Sequence, residues 1–224
     1  MNCNNKQKIN YQKQTDIVLN NLKSKQSLLL HACCAPCSSY VIEYLSKYFD
    51  ITIYYYNPNI YPQEEYERRL GELINFLPVF TPAVEHKVKL VQADYNPEDF
   101  YSATNVKTET ELQKEREKGE RCRRCYLLRM KKAYEYAVEN NFDWFTTTLS
   151  ISPFKDSEKI NIIGQDLQIE GKTKFLPSDF KKKSGFLRSL QISAEYGLYR
   201  QDYCGCVFSK VNKNLDTFPQ LGNT

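Results

Sequence analysis

The sequence predicts an α/β fold, a parallel sheet with helices on both faces. Short apolar or β-branched runs alternate with stretches of helical periodicity, the order that builds successive β-α-β units. The first run, Leu28-Leu29-Leu30, is apolar at consecutive positions, as a strand buried on both faces must be. In sheets built from right-handed crossovers, ligand sites lie beyond the carboxyl ends of the strands. Two loops fall there, one after Leu30 and one at Leu149-Ser150-Ile151-Ser152-Pro153.

The elements follow in order. Residues 1–14 are polar and carry no apolar stretch of the secretory kind. They read as a flexible arm in which Cys3 is incidental, leaving 15–224 as a single α/β domain. Thr15 is placed to cap a short helix bearing Ile17, Val18 and Leu22, which leads to the strand at Leu28. Over 38–49, Tyr40, Val41, Tyr44, Leu45 and Tyr48 recur at helical spacing. Residues 50–56 (DITIYYY) form a β-branched and aromatic strand, closed by the turn Asn57-Pro58-Asn59. Pro62 stands where a first helical residue would, ahead of a helix over 64–77. A third strand is expected over 87–92, and Asn96-Pro97 opens another helix. The charged stretch 108–141 breaks at Gly119. Residues 143–148 (DWFTTT) read as a fourth strand, and Ser157 as the next helix cap.

At 224 residues with 41% hydrophobic content, the chain can build one good-sized core. The net charge of +4 is mild, but its cations cluster. Arg121, Arg123, Arg124, Arg129, Lys131 and Lys132 surround one cysteine pair, and Lys181, Lys182 and Lys183 form a second group. Such patches suit an acidic partner such as nucleic acid, although solvated helix faces carry charge too. No apolar run approaches the ~20 residues of a membrane span, so no membrane partner is expected. The expected location is the cytoplasm. Eight cysteines fall well short of the ~8–10% of a disulfide scaffold. In a reducing compartment, close cysteine pairs mean metal or redox chemistry.

Three thiols crowd into His31-Ala32-Cys33-Cys34-Ala35-Pro36-Cys37, directly after the first strand. Cys122 and Cys125 enter a helix one turn apart, so both sulfurs share a face, with arginines beside them to lower their pKa values. Together the five supply more than the four thiolates that zinc or an iron–sulfur cluster needs. Zinc is the plainer alternative for Cys34-x-x-Cys37 with Cys122-x-x-Cys125, but it leaves Cys33 unused. Cys204-Gly205-Cys206 can close as a short, easily reduced disulfide. Its alternatives are two inert buried thiols or ligands to a second metal. His31 and His86 are the only histidines; His31, inside the strand, reads as a satisfied core residue. The place of a phosphate-binding glycine loop is taken by Cys33 to Cys37, which argues against ATP and nicotinamide.

The four blocks HACCAPC, RCRRC, FLPSDFKKKSGF and YRQDYCGC, in this order and spacing from Leu28 to Cys206, resemble the epoxyqueuosine reductases of the QueH type. The resemblance implies a Rossmann-like sheet of the nucleotide-hydrolase type with an iron–sulfur site at the strand carboxyl ends. It implies reduction of the epoxide of epoxyqueuosine in tRNA to queuosine, the last step of queuosine biosynthesis, without cobalamin. Cys33, Cys34, Cys122 and Cys125 would then hold a 4Fe-4S cluster. Cys204 and Cys206 would form the redox-active pair, and Cys37 would match a site for a second, mononuclear iron. The partners would be tRNA carrying epoxyqueuosine in its anticodon loop and an electron donor that the sequence does not name. Lys181, Lys182, Lys183, Arg188 and Arg200 are the candidate tRNA contacts, with Arg123 and Arg124 behind them and Tyr199 and Tyr203 as stacking surfaces. Asp156, Asp179, Glu195 and Asp202 are candidate proton donors. Two other readings stand beside this one: a zinc-stabilised RNA-binding module and a metal-free thiol–disulfide oxidoreductase.

Overall fold

The computed structural model describes residues 9–210; Cys3 and most of the expected arm lie outside them. Five parallel strands form one sheet in the order β3-β2-β1-β4-β5. They are β1 (Gln26–His31), β2 (Phe49–Tyr55), β3 (Lys89–Gln92), β4 (Trp144–Thr147) and β5 (Lys174–Phe175). The chain first steps outward from the central β1 to β2 and β3. It then returns across β1 to add β4 and β5 on the other side. Progress therefore reverses between β1 and β4, which leaves a crevice beyond their carboxyl ends.

The period-two alternation of the strands divides the core between the two faces. Leu28, Leu30, Ile51, Ile53 and Tyr55 pack on one face. Against them lie α1 (Tyr11–Asn21), α2 (Ala35–Leu45), α3 (Gln63–Phe76), α4 (Thr81–Glu85) and α8 (Gly185–Glu195). Leu29, Tyr54, Phe145 and Phe175 point the other way, onto α6 (Glu120–Glu139) and α7 (Ser157–Leu167). The short α5 (Pro97–Thr104) rests on α6. Leu28, Leu29 and Leu30 are all fully buried, as a central parallel strand requires.

Several boundaries differ from the sequence expectation. The first helix begins at Tyr11, where Asn10 Oδ1 accepts from Lys13 N at 3.0 Å. Thr15 lies inside that helix, and its hydroxyl donates to Pro177 O at 2.7 Å, so it ties α1 to the far end of the chain. Asp156 caps α7 in place of Ser157, its carboxylate accepting from Glu158 N and Lys159 N. The expected break at Gly119 and cap at Asn96 stand. Strand β5 was not expected, because two residues are too few to show alternation.

Candidate active site

The ladder of β1 runs on to Ala32, whose N–H donates to Tyr54 O at 3.1 Å. Cys34, extended at φ −173° and ψ 162°, is the N-cap of α2, with Pro36 in its first turn. This tight strand-to-helix passage holds the Sγ atoms of Cys33, Cys34 and Cys37 within 4.8 Å of one another. Their position at the helix N-terminus favours negative charge. The three thiols divide it unequally. Hydrogen bonds from Cys34 and Cys37, with the charges of Arg129 and Arg69, hold Cys33 well below the usual thiol range. Burial pushes Cys34 up to about 12, and hydrogen bonding to Cys33 and Cys34 raises Cys37. Gln201 Nε2 also donates to Cys34 Sγ at 3.0 Å.

The second group of thiols forms around α6. Glu115 accepts from the N–H groups of Glu120 and Arg121, both at 2.7 Å, and so fixes where the helix starts. One turn in, Cys122 and Cys125 face inward and are buried. Burial raises both thiols, Cys125 to about 11. Cys125 packs with Phe100 and Cys206. Cys204 Sγ accepts from Cys206 N at 3.4 Å and lies 3.0 Å from Ser209 Oγ. The Cys206 hydrogen bond, then the Lys155 charge and Ser209, outweigh burial and hold the Cys204 thiol well below its usual range, while Cys206 is raised. All seven described cysteines are free thiols.

Two spaces connect these groups. Cys122, Cys125, Cys204 and Cys206 line a water-sized space of about 20 Å³, walled by Arg121, Arg129 and Lys155. Cys33, Cys37 and Cys204 line a cavity of about 510 Å³ in the crevice beyond β1 and β4. Room for anything larger than water thus lies on the Cys33 side. Cys204, Arg129 and Lys155 border both spaces.

Buried cations surround the thiols. Arg69, Arg121 and Arg129 are each 1–2% exposed. Arg129 Nη2 donates to Asn57 Oδ1 at 2.5 Å, and Asn57 Nδ2 donates to Ala32 O at 2.9 Å, so one asparagine couples α6 to the Cys33 loop. Arg121 donates to the carbonyls of Leu112 and Gln113. The Nε atoms of Arg121 and Arg129 are buried without a partner among the described residues. Lys155 Nζ stands 4.0 Å from Glu117 Oε2, and burial raises the Glu117 carboxyl. Glu117 was hidden in a charged stretch and is absent from the acids singled out by sequence. Among those acids, Asp156 caps α7, Asp179 pairs with Lys181, Glu195 pairs with Arg188 at 2.9 Å, and Asp202 lines the large cavity.

Most of the cations singled out by sequence meet carboxylates. Lys183 pairs with Asp16 at 2.7 Å and Arg188 with Glu43 at 2.8 Å. Arg123 and Arg124 pair with Glu120, and Arg124 also with Glu109. Lys182 is exposed, and Arg200 reaches the cavity while donating to Ser193 Oγ at 2.9 Å. Tyr199 is covered by Arg68, 3.4 Å from its ring centroid, whereas Tyr203 lines the cavity. His31 is satisfied as expected. Its Nδ1 lies 2.8 Å from Thr147 Oγ1 and its Nε2 3.2 Å from Tyr56 O, and burial pushes it down to about 3.

A doubly wound α/β fold with reduced, charge-countered thiols gathered at its strand ends has the build of an oxidoreductase. The family profile described as "Epoxyqueuosine reductase QueH" matches residues 28–212. A protein of that name from Streptococcus pyogenes serotype M1 is 42% identical over 218 residues, covering 96% of this chain and 84% of its own. Its namesake from Staphylococcus epidermidis is 39% identical over 96% of this chain and 90% of its own, and that from Thermotoga maritima 31% over 84% and 92%. The chain belongs to the epoxyqueuosine reductase QueH family, and it is an enzyme of the oxidoreductase class. Among the described residues, no helix is long and apolar enough to cross a membrane.

Proposed function

We propose that this chain reduces the epoxide of epoxyqueuosine in tRNA to the alkene of queuosine, without cobalamin and in the cytoplasm. The observation that carries the reading is the placement of Cys33, Cys37 and Cys204 on the wall of one 510 Å³ cavity, backed by buried cations. That space suits a base splayed out of an RNA loop. Thr148 Oγ1 and Gln201 Oε1 are buried cavity-lining atoms without a partner among the described residues, ready for polar groups of such an occupant.

The donor set fits an iron–sulfur cluster in its chemistry: thiols that are reduced and shielded, with the unpaired Nε atoms of Arg121 and Arg129 close by as hydrogen-bond donors. Among the described residues only Cys33, Cys34 and Cys37 converge as a candidate metal group, while Cys122 and Cys125 face the small space behind. Cys33, Cys34, Cys122 and Cys125 would hold the cluster once drawn together around it, and Cys37 would serve a second iron. When bound, the cluster supplies electrons singly, and an iron with an open position supplies a Lewis acid for the epoxide oxygen.

The electron count is met by the dithiol. Opening the epoxide to an alkene takes up two electrons and two protons and releases the oxygen as water. Oxidation of the Cys204 thiolate and the Cys206 thiol to a disulfide releases two electrons and one proton, and Glu117 beside Cys204 supplies the second proton that the oxygen needs. A separate electron donor then reduces the disulfide.

The test is anaerobic purification with iron, sulfide and zinc analysis, followed by turnover of epoxyqueuosine tRNA. About four irons and four sulfides per chain, with Cys204→Ser losing multiple turnover, is the expected result. Colourless, zinc-containing protein that binds tRNA without reducing it would overturn the reading.

A further inference from the structure

Most of the cations chosen by sequence meet carboxylates within the fold, which leaves the cavity mouth in need of positive charge beyond Lys182 and Arg200. Arg116 and Lys118 answer that need. Both are exposed, both line the large cavity, and neither side chain has a partner among the described residues. They flank Glu117, and the turn that carries them is fixed at several points. Lys118 takes a left-handed φ of 73°, its carbonyl accepts from Lys159 Nζ, and Glu117 lies 4.0 Å from Lys155, whose side chain is 10% exposed.

Phe154 borders the same cavity and is 66% exposed, the most exposed large hydrophobic side chain among the described residues. A single exposed apolar residue is ordinary. This one is held in place by its neighbours: Ser152 Oγ accepts from its N–H at 3.3 Å, and Lys155 next to it is anchored in the cavity wall. Two free cations and a presented ring at one opening form the combination that recognises an RNA loop, with phosphates on the cations and a base on the ring.

We propose that Arg116, Lys118 and Phe154 form the rim on which the RNA loop docks, with the two cations on loop phosphates and Phe154 stacked on a base next to the one admitted to the cavity. This rests on the tRNA reading above.

The test measures the affinity of the intact enzyme for its tRNA across salt concentrations. Losing two phosphate contacts in Arg116→Ala/Lys118→Ala should lower the salt slope by about 1.4, the single-strand value for two charges. Phe154→Ala should weaken binding roughly 5- to 150-fold with the slope kept, and Phe154→Trp should restore it. Lys87→Ala/Lys89→Ala removes two exposed cations at the amino end of β3, away from the cavity, and should leave the slope unchanged. An equal slope change in that variant would reduce the rim to general attraction and overturn the proposal. Wild-type binding and turnover with unchanged rim variants would overturn the rim alone. Wild-type protein that neither binds nor reduces the tRNA would overturn the functional reading itself.

Discussion

The buried guanidinium of Arg69 donates to the backbone carbonyl of Cys204 at 3.3 Å, across 135 positions of sequence. The same group donates to Tyr203 O at 3.3 Å and pairs with Glu65 at 2.6 Å. Helix α3 therefore grips the dithiol segment by its main chain and leaves the sulfurs free to react. Arg69→Gln should cost of order 3 kcal/mol, because it strands the Glu65 carboxylate, which is 11% exposed, without its cation. Thermal unfolding measures that loss. Faster alkylation of Cys206 in the variant would show that the segment has loosened, and an unchanged rate would count against the grip.

Gly205 sits between the two thiols at φ +103°, in a region that L side chains rarely adopt. An added Cβ would also meet Ile60 Cγ1 at 2.8 Å and Arg69 Nη1 at 3.2 Å. Gly205→Ala should therefore destabilise by about 1–3 kcal/mol. It should also lower turnover more than it lowers tRNA affinity, because the strain falls on the dithiol. A variant with wild-type turnover would show that the pair tolerates another backbone path.

The thiols should not react alike. In reduced, cofactor-free protein at neutral pH, Cys33 and Cys204 should be alkylated ahead of the other five described cysteines. Both are half-buried and held well below the usual thiol range, whereas Cys34, Cys37, Cys122, Cys125 and Cys206 are raised. Peptide mapping after brief iodoacetamide treatment reads the order, and early labelling of Cys206 would contradict it.

Asp16 joins α1 to two other parts of the molecule, accepting from Tyr44 OH at 3.0 Å and pairing with Lys183 at 2.7 Å. Burial pushes its pKa up, but hydrogen bonds from Lys183, Gln12 and Tyr44 win, and the carboxyl lies below its usual range. A depressed carboxyl stabilises the fold above its unfolded pKa of about 3.9, and that contribution is lost as pH falls through the folded value. Asp16→Asn should thus be less stable than wild type at neutral pH, with the gap closing below about pH 4. A gap constant with pH would assign the effect to packing instead.

The sheet was legible where burial on both faces writes a plain signature, as in Leu28-Leu29-Leu30 and in the β-branched run of β2. The thiol blocks were legible because cysteines, otherwise scarce in this chain, sat in close groups at short fixed spacings. The charges were not. Arg69 and Arg129 look like solvent-facing helix positions until residues from distant parts of the chain, Cys204 and Asn57, close over them. Lys183 and Arg188 look free until Asp16 and Glu43 arrive from the other half of the fold. Partnership between distant charges depends on tertiary contact, and local sequence carries no record of it.

Cys204 borders both the large cavity and the water-sized space behind it. It therefore stands as a bulkhead between them. A small oxidant that enters the cavity meets the sulfurs of Cys33, Cys37 and Cys204 before it reaches Cys122 and Cys125.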